Sequence, residues 1–235
     1  MSGALPPSST ISVIVPVLNE AKRIDGLLER LGRGGYGEII VVDGGSEDGT
    51  PERVTAHPGV LLVRSDRGRA LQMNAGAARS KGATLFFVHA DATPPADAAD
   101  WICRTMSRDG VVAGAFRLRT VADGAASWIS PFLPVADVRS RYSGLPYGDQ
   151  GIFVRADVFH RVGGYPRQPL MEDLQLSMTL RREGRIRIVP AVMTVSGRRF
   201  LQRPVFYTIV VNLFPLLYRL GVSPPRLVRW YGNPR

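Results

Sequence analysis

The stretch Thr84–Pro95, TLFFVHADATPP, places an unbroken apolar run directly before two polar side chains. Because the run Leu85–Val88 does not alternate polar with apolar residues, it predicts a central strand covered by helices on both faces. The two prolines that follow end the strand. The strand therefore delivers His89 and Asp91 to its carboxyl end, which is where ligands bind in open α/β sheets.

Asp91 admits two interpretations. A carboxylate at the end of such a strand can hold a hard cation that faces a diphosphate. The same carboxylate could serve only as the N-cap of the next helix, because aspartate is common at turns and at helix starts. The motif alone does not decide between these two roles.

The composition fits one domain with one sizeable core, because the chain has 235 residues and 45% of them are hydrophobic. Cys103 is the single cysteine, which excludes a disulfide within the chain. The first ten residues, MSGALPPSST, have neither the basic region nor the apolar region of a secretory signal. We therefore expect a cytoplasmic protein.

The formal net charge of +10 is distributed unevenly. The segment Ser196–Arg235 contains seven arginines and no acidic residue, which leaves only about +3 on the positions before it. This distribution argues against a nucleic-acid-binding domain and for a local cationic surface. That surface would face an anionic membrane, or its arginines are simply solvated.

Strands and helices alternate along the N-terminal part of the chain. Ile11–Val17 predicts the first strand and Glu38–Val42 the second, with an amphipathic helix that ends at Leu31 between them. Val60–Val63 predicts the third strand, and Ala70–Ser80 predicts the helix that leads to the central strand. This alternation favours an α/β fold with a mostly parallel sheet.

The second strand leads into Asp43–Thr50, DGGSEDGT. The Asp43 carboxylate could accept hydrogen bonds from a nucleobase or a ribose, with the glycines letting the ligand approach the backbone. Alternatively, the segment is an Asp-Gly turn before a helix capped by Ser46 or Asp48. Another glycine-rich segment, Gly32–Gly37, matches a dinucleotide-binding pattern but follows a helix instead of opening one, so we reject it as a phosphate site.

The second half of the chain is less regular. Strands are predicted at Val111–Leu118, Ile152–Val154 and Ile186–Val189, and helices at Ala156–Val162 and Leu174–Arg182. Residues 120–147 show no steady period and predict a variable insert over the site. Glu172 and Asp173 head the later helix. They could supply a general base, or could be there because the helix dipole favours acidic residues at its start.

Five motifs in this order resemble the family 2 glycosyltransferases, which have the GT-A fold. They are PVLNE at 16–20, DGGSEDGT at 43–50, Arg69 with QMNAG at 72–76, HAD at 89–91 and MED at 171–173. The resemblance extends over Ile11–Phe200. It implies an α/β fold of GT-A type, with a Rossmann-like, mostly parallel central sheet flanked by helices. The residues after Phe200 predict a C-terminal amphipathic helical tail.

The resemblance also implies an activity, which is transfer of a sugar from a nucleotide-sugar donor, usually a UDP-sugar, to an acceptor hydroxyl with inversion. The residues that would surround the nucleoside, ribose and diphosphate of the donor are Pro16, Asn19, Glu20, Asp43, Arg69, Asn74, His89 and Ala90. The family usually shows Asp-x-Asp where this chain has His89-x-Asp91, so Asp91 is expected to hold a divalent metal, Mn or Mg. His89 would be a ribose contact or an auxiliary ligand.

The same resemblance implies roles on the acceptor side. Asp173 is the expected general base that takes the proton of the attacking hydroxyl, and Glu172 is the less favoured candidate. Asp149, Gln150 and Arg198 are assigned to the acceptor side of the site. The acceptor could be a small molecule or a lipid.

We expect two parts, a glycosyltransferase domain at 1–200 and a basic, apolar tail at 201–235. The uncharged part of the tail, Pro204–Tyr218, has 15 residues, including Asn212 and Pro215. A membrane-spanning helix needs roughly 20 apolar residues. The tail could instead lie at the inner face of the cell membrane as an interfacial helix, pack on the domain, or form a contact in a homo-oligomer.

Other functions fit the sequence less well. A nucleotidyltransferase would be expected to show a glycine-rich loop with a basic residue after the first strand, where this chain has Leu18–Glu20. A membrane-surface binding module with a degenerate donor site is conceivable, because the first carboxylate of the Asp-x-Asp motif is missing. A nucleic-acid partner is not expected, because the sequence contains no recognition motif.

Overall fold

The computed structural model describes residues 10–121, 144–197 and 204–231. The strands in these ranges are β1 (Ile11–Val17), β2 (Glu38–Asp43), β3 (Val60–Arg64), β4 (Thr84–Phe87), β5 (Ala92–Thr93), β6 (Val111–Val121), β7 (Phe153–Arg155) and β8 (Arg185–Ser196). The α-helices are α1 (Ile24–Gly32), α2 (Thr50–Thr55), α3 (Arg69–Arg79), α4 (Ala98–Met106), α5 (Ala156–Arg161), α6 (Glu172–Glu183), α7 (Pro204–Arg219) and α8 (Pro224–Tyr231). The α/β class predicted from the sequence is confirmed.

The strands form one sheet in the order β3-β2-β1-β4-β7-β6-β8-β5. β1 pairs in parallel with β2 and with β4, and β2 pairs in parallel with β3. β7 is antiparallel to both of its neighbours, β4 and β6, and so connects this parallel half to the second half of the sheet. The carboxyl ends of β1, β2 and β4 therefore lie at one edge, as expected for a ligand-binding edge.

Helices cover both faces of the sheet. On one face α1 and α4 contribute Leu28 and Ile102 to the core, and on the other face α3 contributes Met73. Phe86 of β4 belongs to the first of these cores and Phe87 to the second. The apolar run of β4 is therefore buried on both sides, which is why it shows no alternation.

α3 lies very close to the sheet because Gly76 has no side chain. A Cβ atom on Gly76 would lie 2.5 Å from Ile14 Cγ2 and 2.9 Å from Val42 Cγ2, which is too close for a side chain to be accommodated. The small residue at position 76 thus allows α3 to pack closely on β1 and β2. This packing also fixes Arg69, the first residue of the helix.

β8 is longer than the sequence pattern predicts. It continues to Ser196, whereas the predicted strand ends at Val189. Pro190 interrupts the pattern, and the pairing of β6 with β8 shifts its register at the same place. A proline has no N–H group for the ladder, so it is accommodated in the bulge. The extension of β8 pairs with the short strand β5 through Ala92 and Val195.

The two C-terminal helices pack against the loop that precedes α6. Leu170 in this loop forms a small core with residues of α7 and α8, namely Val210, Phe214 and Leu227. The Tyr218 hydroxyl lies 2.7 Å from Gln175 Oε1 of α6, to which it donates a hydrogen bond. Packing on the domain, one of the arrangements considered for the tail, is therefore observed. In the described ranges, none of the helices is both long and apolar enough to cross a membrane.

Three sequence-based predictions fall outside the described residues. They concern most of the variable insert, the domain boundary at residue 200 and the acceptor-side residue Arg198.

Candidate functional site

Hydrogen bonds join the loops that follow β1 and β2. The Asn19 N–H donates to Ser46 Oγ at 2.8 Å, and Asn19 Oδ1 accepts from the Glu47 N–H at 2.9 Å. The Glu20 N–H donates to Thr50 Oγ1 at 2.9 Å. Asn19 adopts a φ of 56°, in the left-handed region that asparagine tolerates better than most residues. Asn19 and Glu20 thus shape one wall of the sheet edge where the donor was predicted to bind.

Asp43 lies at the end of β2 and is buried. Its carboxylate accepts hydrogen bonds from the N–H groups of Gly45 and Ser46, each at 3.1 Å. The Asp-Gly turn is therefore present, but the predicted cap is wrong, because the N-cap of α2 is Gly49 and neither Ser46 nor Asp48. Pro16, another predicted donor contact, is buried within β1 and stands opposite Val42 of β2.

Gln72 holds the ends of β1 and β2 together, a role that the sequence analysis did not assign. Its side chain is buried and donates hydrogen bonds of 2.8 Å to the carbonyl groups of Val17 and Val42. Gly44 leaves room for this amide, because a Cβ atom at that position would lie 3.0 Å from it. Gln72 could have been identified from the sequence, because it is a single amide side chain among the small residues of a helix that packs on a sheet.

Asn74, which was predicted to contact the donor, binds Tyr165 of the same chain. Asn74 Nδ2 donates to the Tyr165 carbonyl at 2.8 Å, and Asn74 Oδ1 accepts from the Tyr165 N–H at 2.9 Å. These two hydrogen bonds fix the Tyr165 backbone. The half-buried amide has a second N–H and a second lone pair, so its contact with the donor stays a prediction.

Arg69 and Glu172 form an ion pair between α3 and α6. Arg69 Nη2 lies 2.9 Å from Glu172 Oε1, and the side chains of Arg69 and Glu172 are 37% and 3% exposed. Burial raises the pKa of Glu172, and the Arg69 guanidinium opposes that rise only in part. The charge of Asp173 raises the pKa further, so it lies above its ordinary value. Because an unpaired buried carboxylate is strongly destabilising, Arg69 keeps Glu172 compatible with the fold.

Two buried oxygen atoms beside this pair lack a hydrogen-bond partner within the described ranges, the Tyr165 hydroxyl and Glu172 Oε2. Burial raises the pKa of Tyr165 well above its ordinary value, and the nearby charges of Asp173 and Glu172 raise it further. Tyr165 therefore remains neutral and keeps a proton to donate. It was not predicted from the sequence, in which it follows Gly163 and Gly164, residues typical of the end of a helix.

Asp173 and His89 meet at Gly148, the first residue of a 3₁₀ turn at Gly148–Gln150. Asp173 Oδ2 accepts a hydrogen bond of 2.7 Å from the Gly148 N–H. A Cβ atom on Gly148 would lie 2.7 Å from His89 Nε2 and 3.3 Å from Asp173 Oδ2. The loop after β4 and the start of α6 thus bring an imidazole and a half-buried carboxylate to the same point, an arrangement suited to proton transfer.

Gln150, which was assigned to the acceptor side, is fully buried. Its amide donates to the Phe116 carbonyl and accepts from the Tyr147 N–H, each at 3.0 Å. Gln150 therefore holds the turn on β6, and its role on the acceptor side stays a prediction. Its neighbour Asp149 is half-buried in the same turn, which leaves its predicted role open to test.

Asp91 is half-buried, and its backbone carbonyl accepts a hydrogen bond from the Ser196 N–H at 3.2 Å. Together with Ala90 it lines a cleft beside α1. In the part of the chain that the structure describes, no group of three or more His, Cys, Asp or Glu side chains could hold a metal. Mg²⁺ is commonly bound by one or two carboxylates together with substrate phosphates. The residues present therefore fit a cation that binds together with a diphosphate.

Comparison with known proteins identifies the family. The model of glycosyl transferase family 2 matches residues 12–165. The glycosyltransferase AglE of Haloferax volcanii is 31% identical over 169 residues, which are 66% of this chain and 56% of that protein. This chain thus spans little more than half the length of that relative.

Solved structures share the fold at low sequence identity. Glucosyl-3-phosphoglycerate synthase from Mycobacterium tuberculosis, in complex with Mn²⁺, UDP and glucosyl-3-phosphoglycerate, has a TM-score of 0.63 at 19% identity, over 91% of this chain and 80% of that chain. S. aureus TarS 1-349 in complex with UDP-GlcNAc has a TM-score of 0.60 at 18% identity, over 94% of this chain and 70% of that chain. With the match to the family model, these similarities show that this chain belongs to glycosyl transferase family 2 and has the GT-A fold.

Proposed function

We propose that this protein transfers a sugar from a UDP-sugar to an acceptor hydroxyl with inversion, and that Asp173 is the general base. The observation that carries the proposal is the meeting of Asp173 and His89 at Gly148. It brings the acidic motif of α6 to the carboxyl edge of the sheet, where open α/β folds bind their ligands.

The donor would lie along the ends of β1, β2 and β4. The interlocked loops around Asn19 and Ser46 form the wall on the nucleoside side. The solved structures of TarS with UDP-GlcNAc and of glucosyl-3-phosphoglycerate synthase with UDP support UDP as the nucleotide. Pro16, Glu20 and Asp43 are the residues of this edge that we propose line the nucleoside pocket, largely through the backbone that they hold in place.

Asp91 is the proposed protein ligand of a divalent metal. The synthase was solved with Mn²⁺ in one structure and with Mg²⁺ in another, each together with UDP, which supports the assignment. When bound, such a cation offsets the negative charge that develops on the departing diphosphate. The carboxylate of Asp91 would hold it at the strand end, and His89, on the side of Asp173, would contact the ribose or the sugar.

The reaction is a single displacement. The acceptor oxygen forms a bond to the anomeric carbon while the bond between that carbon and the phosphate oxygen breaks, and the electron pair leaves with the nucleoside diphosphate. The proton of the acceptor hydroxyl passes to the Asp173 carboxylate. Attack from the face opposite the leaving group inverts the configuration. Asp173 is held for this role by the Gly148 N–H.

Glu172 has a different role in this proposal. It is buried against Arg69, and its raised pKa reflects that burial, so it is poorly placed to exchange protons with a substrate. The ion pair instead fixes the start of α6, and with it Asp173. Tyr165 lies within the field of both carboxylates and keeps a neutral hydroxyl in the core beside them.

The C-terminal helices are the proposed contact with an anionic membrane surface, which would suit a lipidic acceptor. They bury Phe214 and Leu227 against the domain, but the side chain of Leu220 is 73% exposed and that of Trp230 is 57% exposed. Arg219, Arg226 and Arg229 are also exposed. Exposed apolar side chains next to arginines are typical of helices that lie in the membrane interface.

The first test replaces the base. Asp173→Asn should lower the rate of sugar transfer by about a hundredfold to ten-thousandfold, the range typical for loss of a general base, while UDP binding is retained. Asp157→Asn, at an exposed carboxylate of α5, is the matched control and should transfer at the wild-type rate. Transfer by Asp173→Asn at the wild-type rate would exclude Asp173 as the base.

The second test concerns the ion pair. In Arg69→Met the pKa of Glu172 should rise further. A carboxyl group whose pKa is higher in the folded than in the unfolded state stabilises the fold at low pH. This stabilisation is lost as the pH rises through the folded-state pKa. The loss in melting temperature relative to wild type should therefore grow as the pH rises above the ordinary pKa of a glutamate. The double variant Arg69→Met with Glu172→Gln should lose this pH dependence. An equal loss at every pH would contradict the assignment.

The third test concerns the metal. Ligands selective for the native state raise the melting temperature, so UDP with Mn²⁺ should stabilise wild type more than UDP alone does. Asp91→Asn should remove the increment due to Mn²⁺, and the exposed control Asp100→Asn should keep it. If Mn²⁺ raises the melting temperature of Asp91→Asn as much as that of wild type, the metal is held by other residues.

The fourth test measures sedimentation with anionic vesicles at low and high salt. Each arginine near an anionic surface contributes about 1 kcal/mol, so replacing Arg219, Arg226 and Arg229 by Gln should weaken low-salt binding about a hundredfold. The control carries the same change at three exposed arginines elsewhere, Arg33, Arg79 and Arg104. The proposal fails if wild type does not bind vesicles, or if both triple variants bind equally well.

A further inference from the structure

A cleft of about 260 Å³ separates α1 from the strand pair β5 and β8. It begins at Ala90 and Asp91 and continues along the helix. Its volume is below the range of roughly 300–1,000 Å³ that is typical of pockets for drug-sized ligands. The cleft therefore suits a small chemical group and is too small for a whole nucleotide sugar.

One face of α1 forms a wall of this cleft. Gly26, Leu27 and Arg30 of α1 line it, together with Arg23, the residue directly before the helix. The three helical residues stand three, four and seven positions after Arg23, a spacing typical of one helix face. A Cβ atom on Gly26 would have no heavy atom within 4 Å. Gly26 thus leaves an open notch between the two arginines.

The opposite wall carries hydroxyl groups, from Thr93, Thr194 and Ser196. Asp91 is the one carboxylate among the residues that line the cleft, against the two guanidinium groups of Arg23 and Arg30. Guanidinium and hydroxyl groups are the donors from which phosphate oxygens accept strong hydrogen bonds. Both the charge and the donor set of the cleft therefore match a phosphate group.

We propose that this cleft binds a phosphate or diphosphate group of the acceptor substrate, at a site separate from the diphosphate of the donor. Identifying the ligand as the acceptor rests on the proposed transferase function, whereas the presence of an anion site does not. Because the cleft begins at Asp91, a phosphate bound in it lies beside the residue that is assigned to the donor's metal. A monoester or diester can extend from the open side of the cleft toward the sheet edge.

The test measures binding of inorganic pyrophosphate and of glycerol phosphate to the full chain by calorimetry, with and without saturating UDP and Mn²⁺. Both probes should bind, and UDP should not displace them. Arg30→Gln should weaken both by about tenfold, the effect expected for loss of one charge-assisted hydrogen bond. Gly26→Leu should also weaken them, because it fills the notch without changing the charge.

Arg33→Gln is the matched control. It removes the same charge three residues after Arg30, outside the cleft lining, from an exposed arginine that pairs with Glu29 at 3.6 Å. It should leave probe binding unchanged, and all three variants should bind UDP as wild type does. Full displacement of the probes by UDP, equal binding in Arg30→Gln and wild type, or binding of pyrophosphate without the ester would each overturn the proposal. None of these outcomes bears on Asp173, so the transferase proposal stands or fails separately.

Discussion

The ion pair between Arg69 and Glu172 is the constraint on which the rest of the site depends. Arg69 starts the helix that packs on the parallel half of the sheet, and Glu172 starts the helix that covers the second half. A buried carboxylate is tolerated only with a partner, so the pair fixes the distance between these two helix starts. Met171, just before Glu172, has a φ of 65°, a conformation that costs a residue with a side chain about 1–2 kcal/mol. The packing around it and the ion pair must together offset that cost.

Much of the fold could be predicted from the sequence, because buried parallel strands leave long apolar runs and helices leave a regular spacing. What failed was the pairing of elements far apart in sequence. The predicted strand ended before Pro190, whereas β8 continues past it. The sequence pattern does not show that the pairing with β6 accommodates Pro190 in a bulge. The strand β5 has two residues and exists only because β8 passes beside it.

The site was predicted unevenly for a related reason. The sequence shows that a residue is polar but not which group it meets. Asp173 and His89 were identified and the structure brings them together at Gly148. Asn74 and Gln150, which stand in equally suggestive motifs, are hydrogen-bonded to backbone groups of Tyr165, Tyr147 and Phe116. Gln72 was passed over although it ties two strands together. Only tertiary contacts distinguish the amides that support the structure of the site from the groups that take part in its chemistry.

The contact between the C-terminal helices and Leu170 has a practical consequence for anyone who wishes to trim the protein. A shortened chain that ends before Pro204 would leave Leu170 without Val210, Phe214 and Leu227, and would leave Gln175 without the Tyr218 hydroxyl. Both changes fall within three residues of Glu172 on either side. Such a truncation would expose an apolar surface next to Glu172 and Asp173. The last two helices should therefore be kept in any shortened form of the protein that is expressed.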